Sequence, residues 1–193
     1  MAAKMTEIRW HGRGGQGAKT AAIFLAEAVM ERGKYSQGFP EYGPERRGAP
    51  VRGYTRISDD PIRVHCSIAE PKYVIVLDSS LLDSAAAGVA DGMKDDTIFL
   101  INTLDSPDKI RERLGLKGGE VHCVDASLIA QESFGRPIPN MPMIGALSKV
   151  SDVIEIKELT NCMTSQLKKK FSQAVVDGNV TAVERAYEEL VSE

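Results

Sequence analysis

The residues best suited to chemistry stand in one short run near the N-terminus, Gly12-Arg13-Gly14-Gly15-Gln16-Gly17-Ala18-Lys19-Thr20. Gly12, Gly14 and Gly17 satisfy G-x-G-x-x-G, the spacing of a dinucleotide-binding turn between a strand and a helix. In such a turn the first glycine permits the tight bend. The second lets the backbone approach a pyrophosphate, and the third lets helix and strand pack closely. The helix N-terminus adds free N–H groups and partial positive charge. Arg13 and Lys19 add a guanidinium fork and a point charge, both suited to phosphate. Three readings stay open: a nicotinamide or flavin dinucleotide, another phosphate-bearing ligand, or a turn that only packs a helix on a sheet. The first asks for an acidic residue that ends the second strand and holds the ribose. Glu41 and Glu45 lie at about the right distance, but inside a Gly/Pro-rich segment.

A second cluster is cationic. Glu45, Arg46, Arg47, Arg52 and Arg56 predict an exposed arginine-rich surface, either solvated or used as an interface, where arginine and tyrosine are enriched. The net charge of −3 and the lack of a recognisable motif argue against nucleic acid. Residues 1–72 hold 12 of the 24 Lys/Arg but only 8 of the 27 Asp/Glu, so positive charge gathers in the half that carries the glycine turn. That favours an anionic ligand or an acidic partner surface there. His11 ends the first predicted strand at the mouth of the turn, as a ligand contact or as a satisfied structural histidine. His65-Cys66 and His122-Cys123 fall in predicted strands, where neighbouring side chains face opposite ways, which argues against a shared metal. Three separated cysteines and no C-x-x-C give no zinc or iron–sulfur pattern and suggest reduced thiols in a cytoplasm. No apolar run has membrane-spanning length, and the first residues show no signal-peptide pattern.

The elements that must position these groups alternate. A strand is expected at Thr6–His11 and a helix from Gly17 to Arg32, with Ala18, Ala22, Leu25 and Val29 as its apolar stripe and Gly33 as its stop. A short strand, Tyr35–Phe39, precedes the irregular segment Pro40–Pro50. Val51–Ile57 and Ile62–Ile68 both alternate, with Ser58-Asp59-Asp60-Pro61 between them, and read as a β-hairpin. Tyr73–Asp78 reads as a buried parallel strand ending in a carboxylate. A helix at Ser80–Ala90, a strand at Thr97–Asn102, a helix at Pro107–Leu114, a strand at Glu120–Val124 and a helix at Asp125–Phe134 follow. After a rigid linker, Arg136–Pro142, three helices are expected at Met143–Val150, Lys157–Phe171 and Thr181–Val191. The 193 residues thus predict one α/β domain over 1–193. It is Rossmann-like and layered, with a mainly parallel but mixed sheet flanked by helices and a helical part from about residue 141.

Three ordered motifs carry a resemblance over nearly the whole chain. They are Ile8–Gly17, then Phe39-Pro40-Glu41-Tyr42-Gly43-Pro44-Glu45-Arg46-Arg47-Gly48-Ala49-Pro50, then Asn140-Met141-Pro142-Met143-Ile144-Gly145-Ala146-Leu147. Together they resemble the gamma subunit of 2-oxoacid:ferredoxin oxidoreductases. The middle motif, followed by Ile62-Arg63-Val64-His65, looks more like the pyruvate or branched-chain members than the 2-oxoglutarate ones. The resemblance implies a complex that converts pyruvate, CoA and oxidised ferredoxin to acetyl-CoA, carbon dioxide and reduced ferredoxin, or runs the reverse. It implies alpha, beta and delta partner subunits. Thiamine diphosphate, a magnesium ion and 4Fe–4S clusters would belong to those subunits, and this chain alone would bind no cofactor and be inactive. It also implies a Rossmann-like gamma module that helps form the CoA site. The expected CoA-facing residues are then Gly12, Arg13, Gly14, Gly15, Gln16, Gly17, Lys19 and Asn102. Glu41, Tyr42, Glu45, Arg46, Arg47 and Arg52 are expected at a subunit interface. A 2-oxoisovalerate enzyme, an NAD(P)-dependent dehydrogenase and a purely structural scaffold remain the alternatives.

Overall fold

Among the described residues seven strands form one sheet in the order β2-β3-β1-β4-β5-β6-β7. A computed structural model describes residues 5–41 and 48–193. The strands are β1 (Met5–Arg13), β2 (Tyr35–Pro40), β3 (Pro50–Ser58), β4 (Tyr73–Val76), β5 (Ile98–Asn102), β6 (Glu120–Val124) and β7 (Val191–Ser192). The helices are α1 (Ala18–Met30), α2 (Pro107–Leu114), α3 (Ala126–Phe134), α4 (Asn140–Lys149), α5 (Ile156–Leu167) and α6 (Gln173–Glu188). The sheet is mixed, as expected. β1, β4, β5 and β6 run parallel, while β3 pairs antiparallel with both β1 and β2.

The strands β4 and β5 are buried on both faces, which is why they read as unbroken apolar runs. Ile75, Leu77 and Leu100 face a core shared with α1, α3, α4, α5 and α6. Val74, Val76, Phe99 and Ile101 face a second core closed by Leu81, Leu82, Val89 and Ile110. Helix α1 lies close against β2 and β3. A Cβ added at Gly38 would stand 2.6 Å from the Ala22 carbonyl and 2.7 Å from the Ile23 Cα. Glycine at that position therefore sets the distance between layers. Trp10 Nε1 donates to Thr55 Oγ1 at 3.0 Å, and Thr55 Oγ1 donates onward to the Ala22 carbonyl at 2.9 Å.

Five sequence expectations change, the last helix among them: it runs Gln173–Glu188 and so starts eight residues before the expected Thr181, while Val191 lies in β7. The hairpin at Ile62–Ile68 does not form: both edges of β3 are already filled by β1 and β2, so 62–68 runs without strand structure and His65 and Cys66 are exposed. The helix expected at Ser80–Ala90 is two 3-10 turns, Ser79–Asp83 and Ala85–Ala87, and the second ends on Gly88 at φ 54°. The Pro-rich linker ends earlier than expected, because α4 starts at Asn140 and buries nearly its whole length. The fifth helix stops at Leu167, leaving Phe171 exposed instead of continuing the apolar stripe.

Candidate functional site

The glycine turn lies at the carboxyl edge of the parallel strands, where the chain leaves β1 toward β2 on one side and later starts β4 on the other. In open α/β sheets that reversal is the place where ligands bind. β1 runs two residues further than expected, so Gly12 and Arg13 are still strand. The turn itself is Gly14 to Gly17. Gly15 and Gly17 take positive φ of 100° and 85°, so they are the glycines that the backbone requires. Gly12 serves packing: a Cβ there would meet the Ala18 Cβ at 3.3 Å. Gly17 is the residue before α1 and gives no side-chain cap, so the first N–H groups of the helix have no capping side chain.

The three sequence motifs meet here. A Cβ on Gly17 would come within 2.5 Å of Asn140 Nδ2, so the third motif abuts the first. The Gly14 N–H donates to the Ala49 carbonyl at 3.2 Å, and Arg13 Nη1 donates to the Gly48 carbonyl at 3.0 Å, which brings in the second. An open depression of about 470 Å³ is lined by Arg13, Gly14, Gly15, Gly17, Lys19, Thr20, Pro40, Glu41 and Arg52.

Arg13 and Gln16 are held in place by a carboxylate that the sequence marked only as a strand end. Gln16 Nε2 donates to Asp78 Oδ2 at 2.7 Å, and Gln16 Oε1 accepts from the Arg13 N–H at 2.7 Å. Arg13 Nε lies 3.3 Å from Asp78 Oδ2, and Arg13 Nη2 donates to Ser80 Oγ at 2.8 Å. Partial burial works against the charge of Asp78. Hydrogen bonds from Ser80 and Gln16 and the Arg13 charge outweigh it and hold the carboxyl below its ordinary range. Lys19 is exposed on the first turn of α1.

Asn102 sits apart, in a second depression of about 460 Å³ with Gln16, Asp78 and Ser127. Its amide ties strand ends together: Nδ2 donates to the Leu77 carbonyl at 2.9 Å and to Ser127 Oγ at 2.8 Å, and Oδ1 accepts from the Ser127 N–H at 3.1 Å. Among the described residues no acid takes the place of a ribose-binding carboxylate, and Glu45 lies outside them. In a dinucleotide fold the second strand lies beside the first. Here β3 fills that place, and Glu41, which follows β2, sits one strand further out, roughly 10 Å from β1.

The expected arginine surface divides. Tyr42, Glu45, Arg46 and Arg47 lie outside the described residues. Arg52 is half-buried, donates to the Ala87 carbonyl from Nη2 at 2.8 Å and stands 3.7 Å from Glu41, which also accepts from the Tyr54 hydroxyl at 3.0 Å. Arg56 is not exposed: it keeps 1 % of its surface and pairs with Glu7 at 2.7 Å. Alternation placed Arg52, Tyr54 and Arg56 on one face correctly. Whether that face was covered depended on residues far along the chain.

Sequence reasoning passed over Arg9, which sits on the same face and keeps 2 % of its surface. Its Nη2 donates to the carbonyls of Gly88, Val89 and Asp91 at 3.3, 3.0 and 2.6 Å, and its Nε donates to His11 Nε2 at 3.0 Å. A charged residue inside a strand that is otherwise buried was the signal. His11 is thereby a structural histidine: burial, then the charges of Arg9 and Arg52, push its pKa down to about 3. The three thiols stand apart, Cys66 exposed and Cys123 and Cys162 buried. Among the described residues no three His, Cys, Asp or Glu side chains converge to hold a metal ion. Among the described residues no helix is long and apolar enough to cross a membrane.

A family model described as pyruvate ferredoxin/flavodoxin oxidoreductase matches residues 7–189. The chain is 44 % identical over 190 residues to the pyruvate synthase subunit PorC of Thermotoga maritima, covering 98 % of this chain and 97 % of that one. It is 45 % identical over 187 residues to the pyruvate/ketoisovalerate oxidoreductases common subunit gamma of Thermococcus kodakarensis, covering 97 % and 98 %. The crystal structure of the Thermotoga maritima pyruvate oxidoreductase subunit superposes with a TM-score of 0.87 at 41 % identity, covering 98 % of this chain and 99 % of that one.

Proposed function

Because this chain belongs to the pyruvate ferredoxin/flavodoxin oxidoreductase family, we propose that it is the gamma subunit of a heteromeric pyruvate:ferredoxin oxidoreductase and lines the CoA site of the assembled enzyme. The end-to-end likeness to subunits named for pyruvate synthase supports the role in the complex. The name of the Thermococcus kodakarensis relative supports a subunit shared between pyruvate and 2-oxoisovalerate enzymes as the nearest alternative. One observation carries the CoA reading: the uncapped N-terminus of α1, opened by Gly14–Gly17, faces a depression at the switch of the sheet with Lys19 on its rim. Backbone N–H groups, helix dipole and ammonium together suit the phosphates of a polyphosphate ligand. The acid–base and redox groups of the reaction belong, on this reading, to alpha, beta and delta sister subunits, with ferredoxin as acceptor.

Lys19→Ala in the reconstituted complex is expected to raise the KM for CoA about tenfold, or ~1.4 kcal/mol, with kcat nearly unchanged. An unaltered CoA dependence removes the assignment and leaves the scaffold reading. That reading has its own support, because Arg13 and Gln16 are locked to Asp78 instead of being free for a ligand. The segment containing Glu41, Tyr42, Glu45, Arg46, Arg47 and Arg52 faces sister subunits on this proposal. Arg46→Glu with Arg47→Glu is expected to leave free subunits on a sizing column; an intact complex would contradict it.

A further inference from the structure

A buried arginine, Arg56, stands beside the exposed thiol of Cys66, and one of its nitrogens has no hydrogen-bond partner among the described residues. Arg56 Nε is paired to Glu7 Oε1 at 2.7 Å, and Nη2 donates toward Cys66 Sγ at 3.8 Å. The guanidinium carbon sits 5.4 Å from the centre of the Phe39 ring. Arg56 Nη1 is buried and meets no hydrogen-bond acceptor among the described residues. A buried donor without an acceptor is costly, and it marks a place where an added oxygen would be welcome. The neighbouring sulfur is where such oxygens could be added. Cys66 is exposed, whereas burial pushes the thiols of Cys123 and Cys162 up to about 12.

We propose that Cys66 is an oxidative modification site, at which hydrogen peroxide converts the thiol to a sulfenic and then a sulfinic acid whose oxygens are received by Arg56. In the first step the Cys66 thiolate attacks one peroxide oxygen. The S–O bond forms and the O–O bond breaks; hydroxide leaves and takes up a proton as water. The sulfur loses two electrons and the peroxide gains them. A second peroxide repeats the exchange and gives the sulfinate. That anion offers acceptor oxygens to Nη2 and to the idle Nη1, so the modified residue fastens the 62–68 segment to β3 by charge-assisted hydrogen bonds.

The test treats the full-length chain with hydrogen peroxide and follows each cysteine by dimedone trapping and peptide mass. A synthetic peptide of residues 61–70 supplies the rate of the same thiol without Arg56. Cys66 in the folded chain is expected to react on the order of tenfold faster than in the peptide, and well ahead of Cys123 and Cys162. Conversion to the sulfinate is expected to raise the melting temperature by about 2 °C. Equal or slower reaction than the peptide overturns the proposal, and so does a fall in melting temperature on oxidation. Arg56→Gln, where it folds, is expected to bring the rate down to that of the peptide; an unchanged rate in the folded variant overturns it. None of these readouts depends on CoA or on the sister subunits.

Discussion

The antiparallel wing of the sheet and its parallel half use opposite chemistry on the same side. In the parallel half, Val74, Val76, Phe99 and Ile101 meet Leu81, Leu82 and Ile110 in a dry core. In the wing, the corresponding face of β1 and β3 carries Glu7, Arg9, His11, Arg52 and Arg56, all but Glu7 and Arg52 nearly fully buried. Both wing and parallel half are apolar or small on the other face, where α1 and the later helices lie. Apolar contact supplies cohesion without direction. Arginines gripping the carbonyls of Ala87, Gly88, Val89 and Asp91 supply direction. The difference teaches how the seam between β1 and β4 is set. The turn of 85–91 is pinned to the wing while its neighbours sink into the parallel core, so Asp78 and Ser80 stand where they hold Arg13 and Gln16.

Paired substitutions give the largest expected effects. Ile75→Ala removes methyl groups from the fully buried strand β4 and is expected to cost about 3–4 kcal/mol in denaturant unfolding. Arg9→Met fills similar space but leaves three carbonyls and His11 without their donor, and is expected to cost about 2–3 kcal/mol. A neutral Arg9→Met would mean that the wing is held by packing alone, and the contrast would collapse. Gly38→Ala pushes a methyl group into the α1 backbone and is expected to cost about 2 kcal/mol. No change in the denaturation midpoint would show that α1 is free to lift away from the wing.

The smallest effect per step is a pH slope. His11 is held down to about 3 in the folded chain against 6.5 for a free histidine. The unfolded chain therefore takes up the proton first as pH falls. Stability contributed by neutral His11 is complete above about 6.5 and is lost toward 3, at up to roughly 1.4 kcal/mol per pH unit. His11→Gln keeps an acceptor for Arg9 and is expected to flatten that part of the urea-midpoint profile between pH 6 and 4. An identical slope in the variant would assign the acid sensitivity elsewhere.

Much of the fold was legible because periodicity is local. The strands at Ile98–Asn102 and Glu120–Val124, the helix at Pro107–Leu114 and α1 lie within a residue or two of their expected places. The misreadings fall where distant segments decided the outcome. Ile62–Ile68 alternates like a strand, yet β3 had no free edge to offer it. Ser80–Ala90 has helical composition, yet the chain is extended at Ser84 and left-handed at Gly88, and arginines hold the carbonyls of Ala87 and Gly88, so only two short turns form. At the candidate site, the turn and its strand–helix context could be read directly. The engagement of Arg13 by Asp78, 65 positions later, and the contact of Gly17 with Asn140 could not.

By itself the sequence determined a layered α/β chain, a glycine turn before a helix, and three motifs diagnostic of one family. Those follow from backbone freedom at glycine and from apolar spacing, which neighbouring residues decide among themselves. Only the tertiary structure decided that β3 separates Glu41 from β1, that Arg9 and Arg56 are buried, and that Asp78 governs the turn. Strand order, burial and charge pairing depend on which distant segments compete for the same edge or face, and the free energy of that choice resides in no single stretch of chain.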